Sequence, residues 1–477
     1  MQQFIEVDSV YTRSANIERD AKSPAIVNSY IPTSRSLLTL RSVNSVLNEE
    51  NAPRSWALIG PYGSGKSSFA VFLSQLLDDP ERNNTRDALE VCRKADLYIY
   101  GQILRHTKKT KGYLPVLLTG TPEPLAQRFA VSLRDAAFRF FQSLDEVNKD
   151  ILEKLNEAAE KSNVTIQEIL DLVDNVRNAV KNEGGKGLLI IFDELGKFLE
   201  YEARHYGAND IYLLQSLAEL AANGTKANIL LFALMHQGFE QYARGLGEEL
   251  RNEWRKVQGR FETIPFLETT EQTLHVISKA IINKLPEEKQ EIVNSRSRKI
   301  ASVFAKEKAL PQNLRQSNAI QLFSKCYPLH PLTALILPIL CQRMAQNERT
   351  LFSYLGSKEQ SGFKDTLSKL RTADDWIMPS DVFDYFMLNH PSLLTDPTTH
   401  RRWVEVVTAI DRLGDASFKE INLLKTIGIL NVIGAHGGLK ASENILGLCF
   451  DQKKDAKKTI QSLIDRSAIT FRKFNNE

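Results

Sequence analysis

Eight consecutive residues, Gly60-Pro61-Tyr62-Gly63-Ser64-Gly65-Lys66-Ser67, separate an apolar run at 55–59 from a segment at 66–77 with apolar positions at i, i+3 and i+4. A strand, a glycine-rich loop and a helix in this order form the cradle that phosphate groups need. Glycines at 60, 63 and 65 allow backbone angles that turn successive N–H groups inward, and the following helix directs its positive end at the same point. Lys66 is then expected to reach the β- and γ-phosphates of a nucleotide, with Ser67 a ligand of Mg²⁺ and Ser68 beside it. A strand that delivers such a loop and is followed by a packed helix belongs in a parallel α/β sheet.

The rest of the chain fits that frame. Residues 187–192 form a continuous apolar run, the pattern of a central parallel strand covered on both faces. A helix is expected at 210–222, a second buried strand at 228–235, a helix at 239–255 and a short last strand at 261–266. Residues 113–118 read as a strand on the sheet edge, because Pro115 cannot donate to a ladder. The charged stretch 78–112, with Arg105, Lys108, Lys109 and Lys111, reads as a mobile insertion. Helices are expected at 124–143, 149–160 and 165–181, and a short amphipathic helix at 37–48.

Residues 1–29 look polar and irregular. From 270 to 371 the pattern is helical with no strand, and short helices at 404–412, 418–430, 442–449 and 456–467 lead to a strand at 468–474. The expected organisation is an N-terminal extension (1–29), an ATPase-type core with a helical insertion (30–268), a helical lid (269–374) and a winged-helix-like domain (375–477). A chain of 477 residues is too long for one hydrophobic core, in keeping with several domains.

The apolar run at 187–192 closes on Asp193-Glu194. Asp193 would stand at the carboxyl edge of the sheet, where it can hold Mg²⁺, and Glu194 beside it can orient and deprotonate water. The strand at 228–235 ends in His236-Gln237, and one of these two is expected to sense the γ-phosphate. Downstream, Gly259-Arg260-Phe261 ends a helix and opens a strand. Arg260 reads either as a residue reaching the nucleotide of a neighbouring subunit or as part of a solvated basic helix face.

Other chemistries find no support. No apolar run approaches the ~18 residues needed to span a bilayer, and the first residues lack a signal sequence, which points to the cytoplasm. Cys92, Cys326, Cys341 and Cys449 lack metal or redox spacing, and the eight histidines form no metal motif. A net charge of +3 is too balanced to announce a nucleic-acid binder.

Together these motifs resemble the AAA+ superfamily, and within it the group near origin-recognition and STAND ATPases, from about residue 30 onward. The resemblance implies ATP and Mg²⁺ as cofactors and a homo-oligomer with shared ATP sites, in which Arg260 of a GRF-like element acts on the neighbour. Tyr327-Pro328-Leu329-His330-Pro331-Leu332 is similar to the lid motif with which STAND-type proteins touch the nucleotide. Residues 347–355, Asn-Glu-Arg-Thr-Leu-Phe-Ser-Tyr-Leu, resemble a segment of large bacterial anti-phage ATPases of the BREX type. Arg349 is there the candidate phosphate-sensing arginine of the lid, or a helix-end ion-pair residue.

Two features depart from the compact members of that superfamily. Lys66 and Asp193 are 127 positions apart (193 − 66), and the chain ends within an expected strand, as the ATPase portion of something larger would. Three functions follow as expectations: an oligomeric ATPase switch or motor of a defence system, a DNA-binding protein of origin-recognition type, or an ATP-binding scaffold that recruits an effector protein. DNA or RNA is a candidate partner, favoured by seven basic against three acidic residues in 453–477. No membrane partner is expected.

Overall fold

The computed structural model describes the chain apart from residues 13–14, 48, 50–51, 142–145, 162, 205–209, 224–227, 244–247, 345–350, 390–399, 435–438 and 471–477. The protein divides into two compact units, one of Ala15–Glu268 and one of Met1–Ser14 with Thr269–Glu477. Its strands among the described residues are β1 (Ile5–Val7), β2 (Ser55–Ile59), β3 (Tyr113–Thr119), β4 (Gly187–Asp193), β5 (Asn228–Met235), β6 (Glu262–Pro265) and β7 (Ile281–Asn283).

The Ala15–Glu268 unit is α/β, built on a five-stranded sheet in the order β3-β4-β5-β2-β6 with every pairing parallel. Alternate residues of its strands serve two buried faces. Ala57, Val116, Ile190 and Leu231 join one core with the helices Leu125–Phe140, Ile166–Asn182 and Asp210–Ala222. On the other face Trp56 stacks on Phe232 with ring centroids 4.8 Å apart. Covering both faces is what makes β4 apolar at each of its first six positions. The chain leaves β2 for the far edge at β3 and then returns strand by strand past β2 to β6. The connection after β2 thus runs opposite to the later ones, and such a reversal opens a crevice outside the carboxyl ends of the strands.

Residues 78–112, read from the sequence as a mobile insertion, are largely helical. They form the helices Asn83–Ala95 and Leu97–Thr107, the first burying Thr85, Ala88, Leu89 and Cys92 on one stripe. On the second, His106 lies buried with Nε2 2.9 Å from the Tyr113 hydroxyl, and burial, with Lys186 adding to it, pushes its pKa from 6.5 down to about 4. The unfolded chain takes up this proton near pH 6.5 and the folded chain only near 4. Between these values the unfolded state binds more protons, so stability falls as pH drops through the interval and is untouched above it. His106→Gln should remove up to about 3 kcal/mol of that pH dependence. Denaturant unfolding of both chains at about pH 7.5 and about pH 4.5 checks this, and identical pH slopes would exclude His106 as the cause.

The second unit is mainly helical but carries strands that periodicity alone does not reveal. β1 pairs antiparallel with β7, so the N-terminal segment is ordered and the stretch 270–371 contains a strand. One hydrophobic core runs from Leu274 through Tyr327, Leu337, Tyr385 and Trp403 to Leu463. A helix at Pro379–Asn389 adds to those expected. No strand forms at residues 468–470 after the helix Lys453–Asp465, and 471–474 lie outside the described residues. In the Tyr327–Leu332 motif the side chains serve this core. Tyr327 packs edge-on against Trp376 and His330 is fully buried.

Candidate functional site

The loop between β2 and the helix Lys66–Leu76 is shaped by its glycines. Gly63 and Gly65 have φ of +72° and +87°, in the left-handed region that other residues avoid. Gly60 is required by a close approach instead. A Cβ there would lie 2.3 Å from the carbonyl oxygen of Phe266, whose N–H donates to Ile59 O at 2.7 Å. Lys66, the first residue of the helix, is buried and curls back over the loop. Its ammonium donates to Gly60 O at 2.6 Å, Pro61 O at 2.9 Å and Ser64 Oγ at 3.2 Å. Burial pulls its pKa down to about 8, opposed by the charges of Asp193 and Glu194.

Asp193 ends β4 and is 4% exposed. Burial pushes its carboxyl up to about 6, while the Ser67 hydroxyl bonded to it and the Lys66 charge work the other way. A buried carboxylate beside a hydroxyl and an ammonium is poised to ionise fully once a further cation approaches. Lys66, Ser67 and Asp193 therefore form one cluster, although 127 positions (193 − 66) separate its ends.

Glu194 follows with a φ of +51° and donates its N–H to Asp193 Oδ1 at 3.0 Å. Its carboxylate pairs with Lys197 at 2.5 Å. Two residues that sequence reasoning passed over hold this corner. Gly120, just beyond β3, donates its N–H to Asp193 O at 2.8 Å, and a Cβ on it would meet Glu194 O at 2.1 Å. Gly196 plays the same part on the other side, where a Cβ would lie 2.2 Å from the Tyr242 hydroxyl oxygen. The Gly120-Thr121-Pro122 turn at a strand end was the available signal for the first. Lys197 was equally visible, one helical turn beyond the acidic pair.

Of the pair His236 and Gln237, His236 packs against the loop. Its ring stacks on that of Tyr62 with centroids 3.5 Å apart and planes 27° from parallel. Nδ1 is buried without a hydrogen-bond partner among the described residues. Burial, then the charges of Lys66 and Lys197, push its pKa down to about 4, so the ring is neutral near pH 7. Gln237 follows it, half-buried, and Ser68 is the third residue of the helix.

Arg260 stands apart from this cluster. It precedes β6, whose first residue pairs with Trp56 near the start of β2, whereas the loop follows the end of β2. Its guanidinium is 53% exposed and pairs with Glu219 at 3.0 Å. Within one chain the structure therefore separates Arg260 from Lys66 by the length of the sheet. Arg349 lies outside the described residues.

No protein-family model matches the sequence, and no curated protein matches it. No helix among the described residues is long and apolar enough to cross a membrane.

Proposed function

We propose that the Ala15–Glu268 unit hydrolyses ATP to ADP and phosphate with Mg²⁺, and that the protein works as an oligomeric ATPase switch or motor. The observation that carries this reading is the gathering of Lys66, Ser67, Asp193, Glu194 and His236 outside the carboxyl ends of a parallel sheet, against a loop with two left-handed glycines.

The donor set suits both cofactors. Magnesium is commonly held by one or two protein oxygens together with phosphate oxygens, and the Ser67 hydroxyl and Asp193 carboxylate supply such a pair. When bound, the ion supplies charge neutralisation at the phosphates. Lys66 exchanges its loop carbonyls for phosphate oxygens. Glu194 accepts the proton of the attacking water, and Gly120 and Gly196 keep its backbone in place. His236, neutral and braced by Tyr62, has a ring nitrogen free to hydrogen-bond near the reacting group. Arg260, exposed at the opposite sheet edge, acts on the site of a second copy of the chain. Service in an anti-phage system with an effector partner rests on the likeness of residues 347–355 alone.

Lys66→Ala tests the reading. The loss of a charge-assisted phosphate contact should weaken ATP binding by about 10- to 100-fold and reduce turnover at least as much. ATP affinity unchanged by this substitution would end the proposal. Mass in solution with and without ATP tests assembly in the same preparation.

A further inference from the structure

The Met1–Ser14 and Thr269–Glu477 unit contains an open cavity of about 620 Å³, formed by the helices Thr270–Ala280, Glu287–Lys306 and Gln316–Lys325 with β7. That volume falls within the ~300–1,000 Å³ of small-molecule sites. Each of the three helices contributes one cation to the lining, Lys279, Arg298 and Lys325. All three are exposed, and none has a carboxylate partner among the described residues.

The sequence arranges this absence. No Asp or Glu stands three or four residues before or after any of the three. Elsewhere on helical surfaces that spacing is used, as in Lys154 with Asp150, Lys369 with Asp365 and Arg401 with Glu405. Lys279 and Lys325 lie in the last turns of their helices, where the helix dipole favours a cation. Arg298, in the middle of its helix, has neither dipole end nor acid beside it.

The cavity wall between these cations is ordered. Gln290 Nε2 donates to Asn294 Oδ1 at 3.0 Å and to Ser324 Oγ at 2.8 Å, and Asn283 Nδ2 donates to Gln290 Oε1 at 3.0 Å. A hydrogen-bonded amide wall fixes the shape of a recess, and three uncompensated cations around it favour an anion with several negative oxygens. Convergence on a recess, in place of alignment along a track, favours a compact ligand over a long polymer.

We infer that this cavity binds a phosphorylated small molecule of nucleotide size, at a site separate from the glycine loop and independent of the ATPase reading. The test uses the full chain carrying Lys66→Ala, so that the loop is disabled, titrated calorimetrically with inorganic pyrophosphate and with AMP. Binding of either is expected. Arg298→Glu with Lys325→Glu should weaken it by roughly 30-fold or more, and Lys279→Gln by several-fold. These residues are exposed, so an unchanged melting temperature should accompany the loss. The same reversals in the wild-type background, where they should remove one of two binding components, keep the test valid if Lys66→Ala impairs folding.

Absence of binding, or binding indifferent to the reversals, overturns the inference. So does reversal-sensitive binding of a single-stranded oligonucleotide when pyrophosphate and AMP do not bind, since the cavity would then be part of a nucleic-acid surface.

Discussion

Glu194→Gln should leave ATP bound and lower its turnover by about 10²- to 10⁴-fold, the range associated with loss of a general base. The substitution keeps size and shape, so the crowded corner set by Gly120 and Gly196 is undisturbed. What changes is charge. Glutamine cannot accept a proton from water, and the ion pair with Lys197 is lost. The negative charge of Glu194 also helps to raise the Asp193 carboxyl, so its removal makes Asp193 ionise more readily. Metal affinity should therefore hold or improve while chemistry fails. The measurement is steady-state phosphate release beside equilibrium nucleotide binding, each with Mg²⁺. Turnover within a few-fold of wild type would show that another group takes the proton, and a parallel collapse of binding would show that Glu194 holds the nucleotide.

Gly187→Ala should destabilise the Ala15–Glu268 unit by about 3 kcal/mol or more, enough to compromise folding. Gly187 opens β4 with a φ of +141°, and a Cβ there would lie 1.9 Å from the backbone oxygen of Asn228, its partner on β5. No rotamer relieves a clash between a Cβ and a neighbouring main chain, so the central pairing of the sheet must shift. Gly184→Ala provides the control. That glycine is also left-handed, at +86°, but has open space around its Cβ position and should cost only about 1 kcal/mol of backbone strain. Denaturant unfolding of the two variants separates contact from strain. Equal losses would mean that β4 and β5 can give way at their start.

How legible each part was in the sequence follows from how local its causes are. β2, its loop and the helix after it are specified within 22 consecutive residues, 55–76, by an apolar run, glycine placement and helical periodicity, and β4 declares its interior position by being apolar at its first six positions. The helix Asn83–Ala95 has the correct i, i+3, i+4, i+7 spacing of buried residues, yet these are Thr85, Ala88, Leu89 and Cys92. Only Leu89 is a large aliphatic among them, and with Arg, Asn, Asp and Glu around the stripe an ordinary amphipathic helix hides behind its charge. β1 is three residues long, and no window on the sequence connects it to β7.

The site divides in the same way. Lys66, Ser67, Asp193 and Glu194 carry their chemistry in their residue types. That His236 stacks on Tyr62 depended on where the strand end meets the glycine loop, and the need for glycine at 120 depended on how closely two parallel strands end beside each other. Both are facts of tertiary approach, without a local signature.

The pairing of β1 with β7 has a consequence for synthesis. Val7 and Ile281 are 274 positions apart (281 − 7). At ~5–20 residues added per second, the Ile5–Val7 segment spends roughly 14–55 s outside the ribosome before its partner strand exists. During that wait all of Ala15–Glu268 emerges and can complete its own sheet. The edge that β7 offers is thus closed by a segment made well before it, once the whole of the other unit has emerged.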